Sequence, residues 1–174
     1  MHYAAIKPHD IANGPGVRVS LFVSGCTRHC KNCFQPETWD FSYGQPFTDE
    51  TRDELLRRLA PDYIHGLTLL GGEPFEPANR AVLIPLVEAV RAAYPEKTVW
   101  AFSGYTLEQL LGGQAGPVET ARGLLALLDV LVDGPFIEAE RNIELRFRGS
   151  ANQRVLDVPA SLAANAPVWA EQYR

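Results

Sequence analysis

Strand-forming residues fill the stretch Val17–Val23 (VRVSLFV), where β-branched and aromatic side chains are frequent. Three cysteines, Cys26, Cys30 and Cys33, follow at its carboxyl end, in a loop that we expect to extend to about residue 45. In folds that alternate strands and helices, ligands gather at the carboxyl ends of the strands. The stretch therefore predicts a first strand that carries a cysteine loop to the ligand-binding edge of a sheet.

Strand and helix patterns alternate along the rest of the chain. Short apolar runs predict strands at 67–70, 98–102, 130–132 and 154–158. Helical spacing of apolar residues covers about 48–59, 79–94, 107–111 and 118–128. This alternation favours βαβ units and a parallel sheet, but the chain is shorter than the roughly 250 residues of a complete eightfold barrel. We therefore expect one domain, residues 1–174, folded as an α/β structure: an incomplete, open (β/α) barrel of parallel strands with the cysteine loop after the first strand.

The composition excludes several classes of protein. The 174 residues carry a net charge of −5, which gives no reason to expect a nucleic-acid-binding surface. No apolar run approaches the roughly 18 residues of a membrane span, and no signal-peptide pattern follows Met1. We therefore expect a soluble cytoplasmic protein that binds neither nucleic acid nor membrane.

The three cysteines are better suited to a metal than to a disulfide framework, because an odd number lies within eight residues. Thiolates favour zinc, copper(I) or iron–sulfur clusters. A four-iron four-sulfur cluster normally takes four cysteines, so three would leave one iron open to a ligand. A zinc knuckle with His29 or His9 as the fourth ligand is the alternative.

Polar or glycine-rich turns follow the other predicted strands. Gly71-Gly72-Glu73-Pro74 allows close backbone approach to a ligand, and Glu73 could accept hydrogen bonds from an ammonium group. Ser103 and Asp133 end later strands on the same predicted face. Ordinary turns and a helix cap are the alternative interpretations of these residues.

The Cys-x3-Cys-x2-Cys spacing after a first strand resembles the signature of the radical S-adenosylmethionine enzymes. The stretches 13–18 (NGPGVR) and 21–26 (LFVSGC) narrow the resemblance to the glycyl-radical activating enzymes, and within these to the activating proteins of anaerobic ribonucleotide reductase. The similarity continues through 71–74 (GGEP), 102–105 (FSGY), 129–136 (DVLVDGPF) and 148–154 (RGSANQR). It therefore covers most of the chain.

The resemblance implies a four-iron four-sulfur cluster on Cys26, Cys30 and Cys33, with S-adenosylmethionine on the open iron. It places the methionine amino group at Gly71, Gly72 and Glu73. It also implies that Ser103 and Asp133 line the pocket. The family often has an aromatic residue just before the third cysteine. Here that place is Asn32, so Phe34 either covers the cluster or belongs to the core.

Arg148 could pair with a carboxylate of S-adenosylmethionine or of a partner protein, unless it belongs to a solvated basic face with Arg146 and Arg154. Asn152 and Gln153 could bind the backbone of an extended peptide. No catalytic acid or base is assigned.

The implied partners are a glycyl-radical enzyme, with anaerobic ribonucleotide reductase as the first expectation, and a one-electron donor such as flavodoxin or ferredoxin. The alternatives are another radical S-adenosylmethionine enzyme, acting on a lyase-type partner or a small molecule, and a non-enzymatic iron–sulfur or zinc protein.

Overall fold

Seven strands form one open sheet in the computed structural model, which describes residues 1–174. The strands are β1 (His2–Asp10), β2 (Val17–Val23), β3 (Gln45–Pro46), β4 (Ile64–Gly71), β5 (Thr98–Phe102), β6 (Val130–Asp133) and β7 (Arg154–Asp157). The helices are α1 (Asp49–Leu59), α2 (Pro77–Ala93), α3 (Leu107–Leu111), α4 (Val118–Leu125) and α5 (Val158–Ala164). None of these helices combines the length and the apolar character needed to cross a membrane.

The order across the sheet is β3-β1-β2-β4-β5-β6-β7, and the four central strands, β2, β4, β5 and β6, are parallel. The expected α/β class and the open sheet are confirmed. The expected barrel of parallel strands is not, because β1, β3 and β7 pair antiparallel at the two edges. The cysteine loop follows the second strand rather than the first. β1 was not predicted, because it is mostly half-buried and lacks a clear apolar alternation.

The helices cover one face of the sheet. A cluster of 25 buried apolar residues lies between them and the strands, and α2 contributes Leu83, Leu86, Val87 and Val90 to it. Thr48 caps α1, where its side chain accepts a hydrogen bond from the Thr51 N–H as part of a capping box. This packing fixes the carboxyl ends of the parallel strands along one edge.

The opposite face is filled only at the amino-terminal half of the central strands. There Arg18 is completely buried, and its guanidinium donates to Thr68 Oγ1 at 2.7 Å and to the Leu67 carbonyl at 2.8 Å. Burial lowers the pKa of Arg18 to about 10. Trp100 packs beside it, edge-on against Tyr173. The carboxyl-terminal half of the same face borders a cavity.

Candidate functional site

The cavity has a volume of about 880 Å³ and lies at the carboxyl ends of the parallel strands. Cys26, Cys30 and Cys33 line it, together with the turn 71–73 after β4. Ser103 also lines it, at the end of β5. The structure thus brings the cysteine loop and two of the predicted strand-end turns to one space.

Backbone hydrogen bonds fix the start of the cysteine loop on two sides. The Gly25 N–H donates to the carbonyl of Thr38 at 2.8 Å, and the Cys26 N–H donates to the carbonyl of Trp39 at 3.3 Å. On the other side, the Glu73 N–H donates to the carbonyl of Gly25 at 2.9 Å. Cys26 therefore has a fixed position relative to the turn after β4.

The rest of the loop curls tightly. His29 and Asn32 have φ angles of 44° and 57°, in the left-handed region that few residues other than glycine adopt. The Cys33 N–H donates to the carbonyl of Cys30 at 3.1 Å and closes a short turn. The curl keeps both later cysteines on the cavity.

All three cysteines are free thiols. Burial raises the pKa of the Cys26 thiol to about 11, so this thiol needs a bound cation to become the thiolate that metals take. No three His, Cys, Asp and Glu side chains are grouped as ligands for a single metal ion. Neither of the alternative zinc ligands lines the cavity: His29 stacks on Trp39 with ring centroids 4.5 Å apart, and His9 bonds Tyr63.

Glu73 joins two strand ends. Its carboxylate accepts hydrogen bonds from the Phe75 N–H at 2.9 Å, from Ser103 Oγ at 2.9 Å and from the Gly104 N–H at 2.7 Å. Burial nevertheless raises the pKa of Glu73 to about 7, since only 1% of the residue is exposed. Two of the predicted site residues, Glu73 and Ser103, are therefore direct hydrogen-bond partners.

Asp133 lies apart from the cavity. It is completely buried at the end of β6, where its carboxylate accepts from the Leu107 N–H at 2.7 Å and from Arg154 Nε at 2.9 Å. Arg154 also donates to Glu108. Among the predicted residues, Asp133 is the one that the structure places in an ion pair rather than on the cavity surface.

Arg148 lines the cavity and also supports its own loop. Its Nη1 donates to the carbonyls of Gln153 at 2.8 Å and Ala151 at 3.3 Å. Gln153 uses both ends of its amide, because Oε1 accepts from Gly149 and Nε2 donates to Gly134. The side chain of Gln153 is therefore engaged within the protein rather than free for an extended peptide.

Phe34 stands at the cavity with 94% of its surface exposed. The alternative that placed it in the core is wrong. Ile143 also lines the cavity and is 88% exposed. The cavity thus has two unburied apolar side chains, one from the cysteine loop and one from the segment after β6.

Comparison with known proteins gives a family. Residues 12–156 match the family model described as a 4Fe-4S single cluster domain. The chain is 42% identical over 155 residues to the anaerobic ribonucleoside-triphosphate reductase-activating protein of Vibrio cholerae, covering 88% of this chain and 96% of that protein. The proteins of the same name from Escherichia coli K12 and Enterobacteria phage T4 are 40% and 41% identical over 157 residues, covering 89% of this chain and 97% and 93% of theirs.

The chain belongs to the anaerobic ribonucleoside-triphosphate reductase-activating protein family. As a member of this family it carries a 4Fe-4S domain, and the residues around its cysteine loop suit such a group. The indole Nε1 of Trp39 and the Nε of Arg28 are buried without a hydrogen-bond partner, and both residues line the cavity beside the cysteines. Buried N–H donors without acceptors are uncommon, and acceptors in a bound group would satisfy them. The site of this reductase-activating protein therefore fits a cluster and an anionic ligand.

Sequence reasoning missed Arg28 and Trp39. Arg28 stacks its guanidinium 4.5 Å from the ring centroid of Tyr105, and it belongs to none of the ion pairs of the chain. The only sequence signal for Arg28 is a cation between two cysteines. Trp39 carries no signal, because its place depends on the fold of the segment that follows the cysteines.

Proposed function

We propose that this protein activates an anaerobic ribonucleotide reductase by generating a glycyl radical from S-adenosylmethionine. The observation that carries the proposal is the meeting of Cys26, Cys30 and Cys33 with the turn 71–73 at one cavity. Its volume of about 880 Å³ is adequate for a cofactor, since small-molecule sites typically span about 300–1,000 Å³. The names of the relatives support the reductase as the partner.

Cys26, Cys30 and Cys33 would hold a four-iron four-sulfur cluster, with one iron left for S-adenosylmethionine. Such a cluster, when bound, supplies the electron that splits the sulfonium into methionine and a 5′-deoxyadenosyl radical, which takes a hydrogen atom from a glycine of the reductase. The electron comes from a one-electron donor such as flavodoxin or ferredoxin. Free thiols and this chemistry both suit a reducing cytoplasm.

Different cavity residues bind different groups of S-adenosylmethionine. Gly71 and Gly72 allow close backbone approach, and the ionised form of Glu73 accepts hydrogen bonds from the methionine amino group. Ser103 holds Glu73 in place through its 2.9 Å hydrogen bond and contacts the ligand from the end of β5. The Nε atoms of Arg28 and Arg148 are both buried without a partner, but Arg28 is the stronger candidate for the carboxylate of the ligand, because Arg148 already donates to its own loop through Nη1. Asp133 does not line the cavity. It is a positioning residue that holds Arg154 through their ion pair.

The glycine-bearing segment of the reductase enters over Phe34 and Ile143, whose exposed side chains flank the cavity. Hydrogen transfer requires near contact between the donor and acceptor carbons, so the segment must reach the carboxyl ends of the strands. Because the cavity draws on residues from Lys7 to Gln153, the chain acts as one domain.

The test combines anaerobically reconstituted protein, a reductant, S-adenosylmethionine and the anaerobic reductase of the same organism. Electron paramagnetic resonance should detect a glycyl radical that the Cys26→Ala, Cys30→Ala and Cys33→Ala variants do not form. If the radical appears only on a lyase-type partner, the activase chemistry stands and the reductase assignment fails. Active protein that holds stoichiometric zinc and no iron would overturn the radical mechanism.

A further inference from the structure

The indole of Trp39 presents a buried, unused hydrogen-bond donor at the cysteine loop. Its Nε1 has no acceptor within the protein, although Trp39 lines the same cavity as the three cysteines. Buried N–H groups without a partner are uncommon in folded proteins, so such a donor points to an acceptor that the chain itself does not supply.

Two contacts hold the indole beside the cysteines. The carbonyl of Trp39 accepts from the Cys26 N–H at 3.3 Å. The ring stacks on His29, the residue just before Cys30, with an interplanar angle of 26°. The backbone of Trp39 is therefore bonded to Cys26, and its ring packs on His29, which precedes Cys30.

We propose that Trp39 Nε1–H donates a hydrogen bond to a sulfur of the cluster held by Cys26, Cys30 and Cys33, and that this bond raises the reduction potential of the cluster. The inference rests on the cluster of the proposed function and is independent of which protein is activated. Reduction adds negative charge to an iron–sulfur cluster, and N–H donors to its sulfurs stabilise that charge. Residues outside the ligand set commonly tune a metal centre in this way.

The other two tryptophans provide an internal comparison. Trp100 lies on the other half of the sheet face, packed edge-on against Phe147 and Tyr173. Trp169 lies beneath the guanidinium groups of Arg148 and Arg174. Neither lines the cavity, so Trp169→Phe is a matched control for the loss of one indole N–H.

The primary test is a redox titration of the reconstituted protein, followed by electron paramagnetic resonance. Trp39→Phe keeps an aromatic ring for the stack on His29 and removes the N–H. We expect a midpoint potential more negative than that of the wild type, at equal iron and sulfide content, and no shift in Trp169→Phe. An unchanged potential in a fully loaded Trp39→Phe protein would overturn the proposal.

A second measurement needs no change at Trp39. Wild-type protein and Trp169→Phe protein are prepared with ¹⁵N-labelled indoles, and the reduced cluster is studied by pulsed electron paramagnetic resonance. A resolved ¹⁵N coupling in both samples supports the Trp39 hydrogen bond, and its absence from the loaded wild type rejects it. A protein that assembles a cluster but does not activate the reductase leaves this inference intact, whereas failure to assemble any iron–sulfur cluster rejects both proposals.

Discussion

The N–H of Glu73 donates to the carbonyl oxygen of Gly25 at 2.9 Å, which joins the turn after β4 to the residue that precedes Cys26. The joint is tight, because a Cβ atom added to Gly72 would lie 2.6 Å from that same oxygen and 3.0 Å from the carbonyl oxygen of Thr38. The cysteine loop and the glycine-rich turn are therefore one structural unit.

Substitution of Gly72 should disturb the cysteine loop as well as the adjoining pocket. In Gly72→Ala the added methyl group meets backbone oxygens that cannot move aside separately, and such overpacking typically costs about 1–3 kcal/mol. We expect lower iron content after anaerobic reconstitution, measured by iron and sulfide analysis.

The matched control is Gly104→Ala, where the nearest atom to the new methyl is the flexible Cγ of Arg28 at 3.2 Å. This variant should keep its iron. Full iron loading of Gly72→Ala would show that the loop tolerates the displacement and that the two motifs are not coupled.

The binding of S-adenosylmethionine should depend on the ionisation of Glu73. Burial raises the pKa of this carboxyl to about 7, and only the ionised form offers both oxygens to the amino group. Affinity should therefore fall as the pH drops below about 7, approaching tenfold per unit where protonation dominates.

Calorimetry on reconstituted protein between pH 6 and 8.5 measures this dependence. Glu73→Gln should bind more weakly at pH 8 and lose most of the pH dependence. Glu88→Gln, an exposed change on α2, should behave like the wild type. A wild-type affinity that is constant across this range would contradict the role given to Glu73.

Arg28 should contribute to affinity through the carboxylate of the ligand. A hydrogen bond between charged groups is worth about 1.5–3 kcal/mol, so Arg28→Gln should weaken S-adenosylmethionine binding by about tenfold or more. The discriminating ligand is decarboxylated S-adenosylmethionine, which lacks the group that Arg28 would bind. Its affinity should change little between wild type and Arg28→Gln. Equal losses for both ligands would indicate that Arg28 only shapes the cavity, through its stack on Tyr105.

The Glu108–Arg154 pair should stabilise the fold in a pH-dependent manner. Hydrogen bonds from Arg154 lower the pKa of Glu108 to about 2 from its ordinary 4.5. The stabilisation is therefore complete above about pH 4.5 and disappears as the pH falls towards 2. Because the Glu108 side chain is 55% exposed, solvent screening limits the effect to about 0.5–1 kcal/mol.

Urea unfolding of wild type and Glu108→Gln at pH 7 and pH 3.5 measures this contribution. The difference in free energy of unfolding should be larger at pH 7. The exposed Glu144→Gln serves as the control. A difference that is the same at both pH values would mean that the amide replaces the carboxylate fully.

The central strands were predictable because each contains a short stretch of buried apolar residues, rich in β-branched, aromatic or leucine side chains. Predicted strand 98–102 matches β5 residue for residue, and the predicted helix 107–111 matches α3. The edge strands β1 and β3 were not predictable, because half-exposed edges do not impose an apolar pattern.

The parts of the site that belong to short sequence motifs were predictable. The cysteines and the turn 71–73 belong to compact signatures, and the structure brings them to one cavity. The partners of Asp133 were not predictable, because Leu107 and Arg154 are brought to it only by tertiary packing. Those of Arg148 are close in sequence but depend on the conformation of an irregular loop. The unpaired donors of Arg28 and Trp39 are likewise visible only once burial is known.

Because neighbours in the sheet are, apart from the two-residue β3, also neighbours in the chain, the sheet can grow one strand at a time during synthesis. The hydrogen bonds that hold the cysteine loop to the rest of the protein are all made within residues 1–80, to Thr38, Trp39, Glu73 and Glu76, which accepts from the Thr27 N–H at 2.8 Å. The segment around Arg148 that borders the cavity leaves the ribosome much later than the cysteine loop. The hydrogen bonds of the cysteine loop can therefore form while the later part of the chain is still being synthesised. Assembly of the metal centre and completion of the cavity can thus occur at different times.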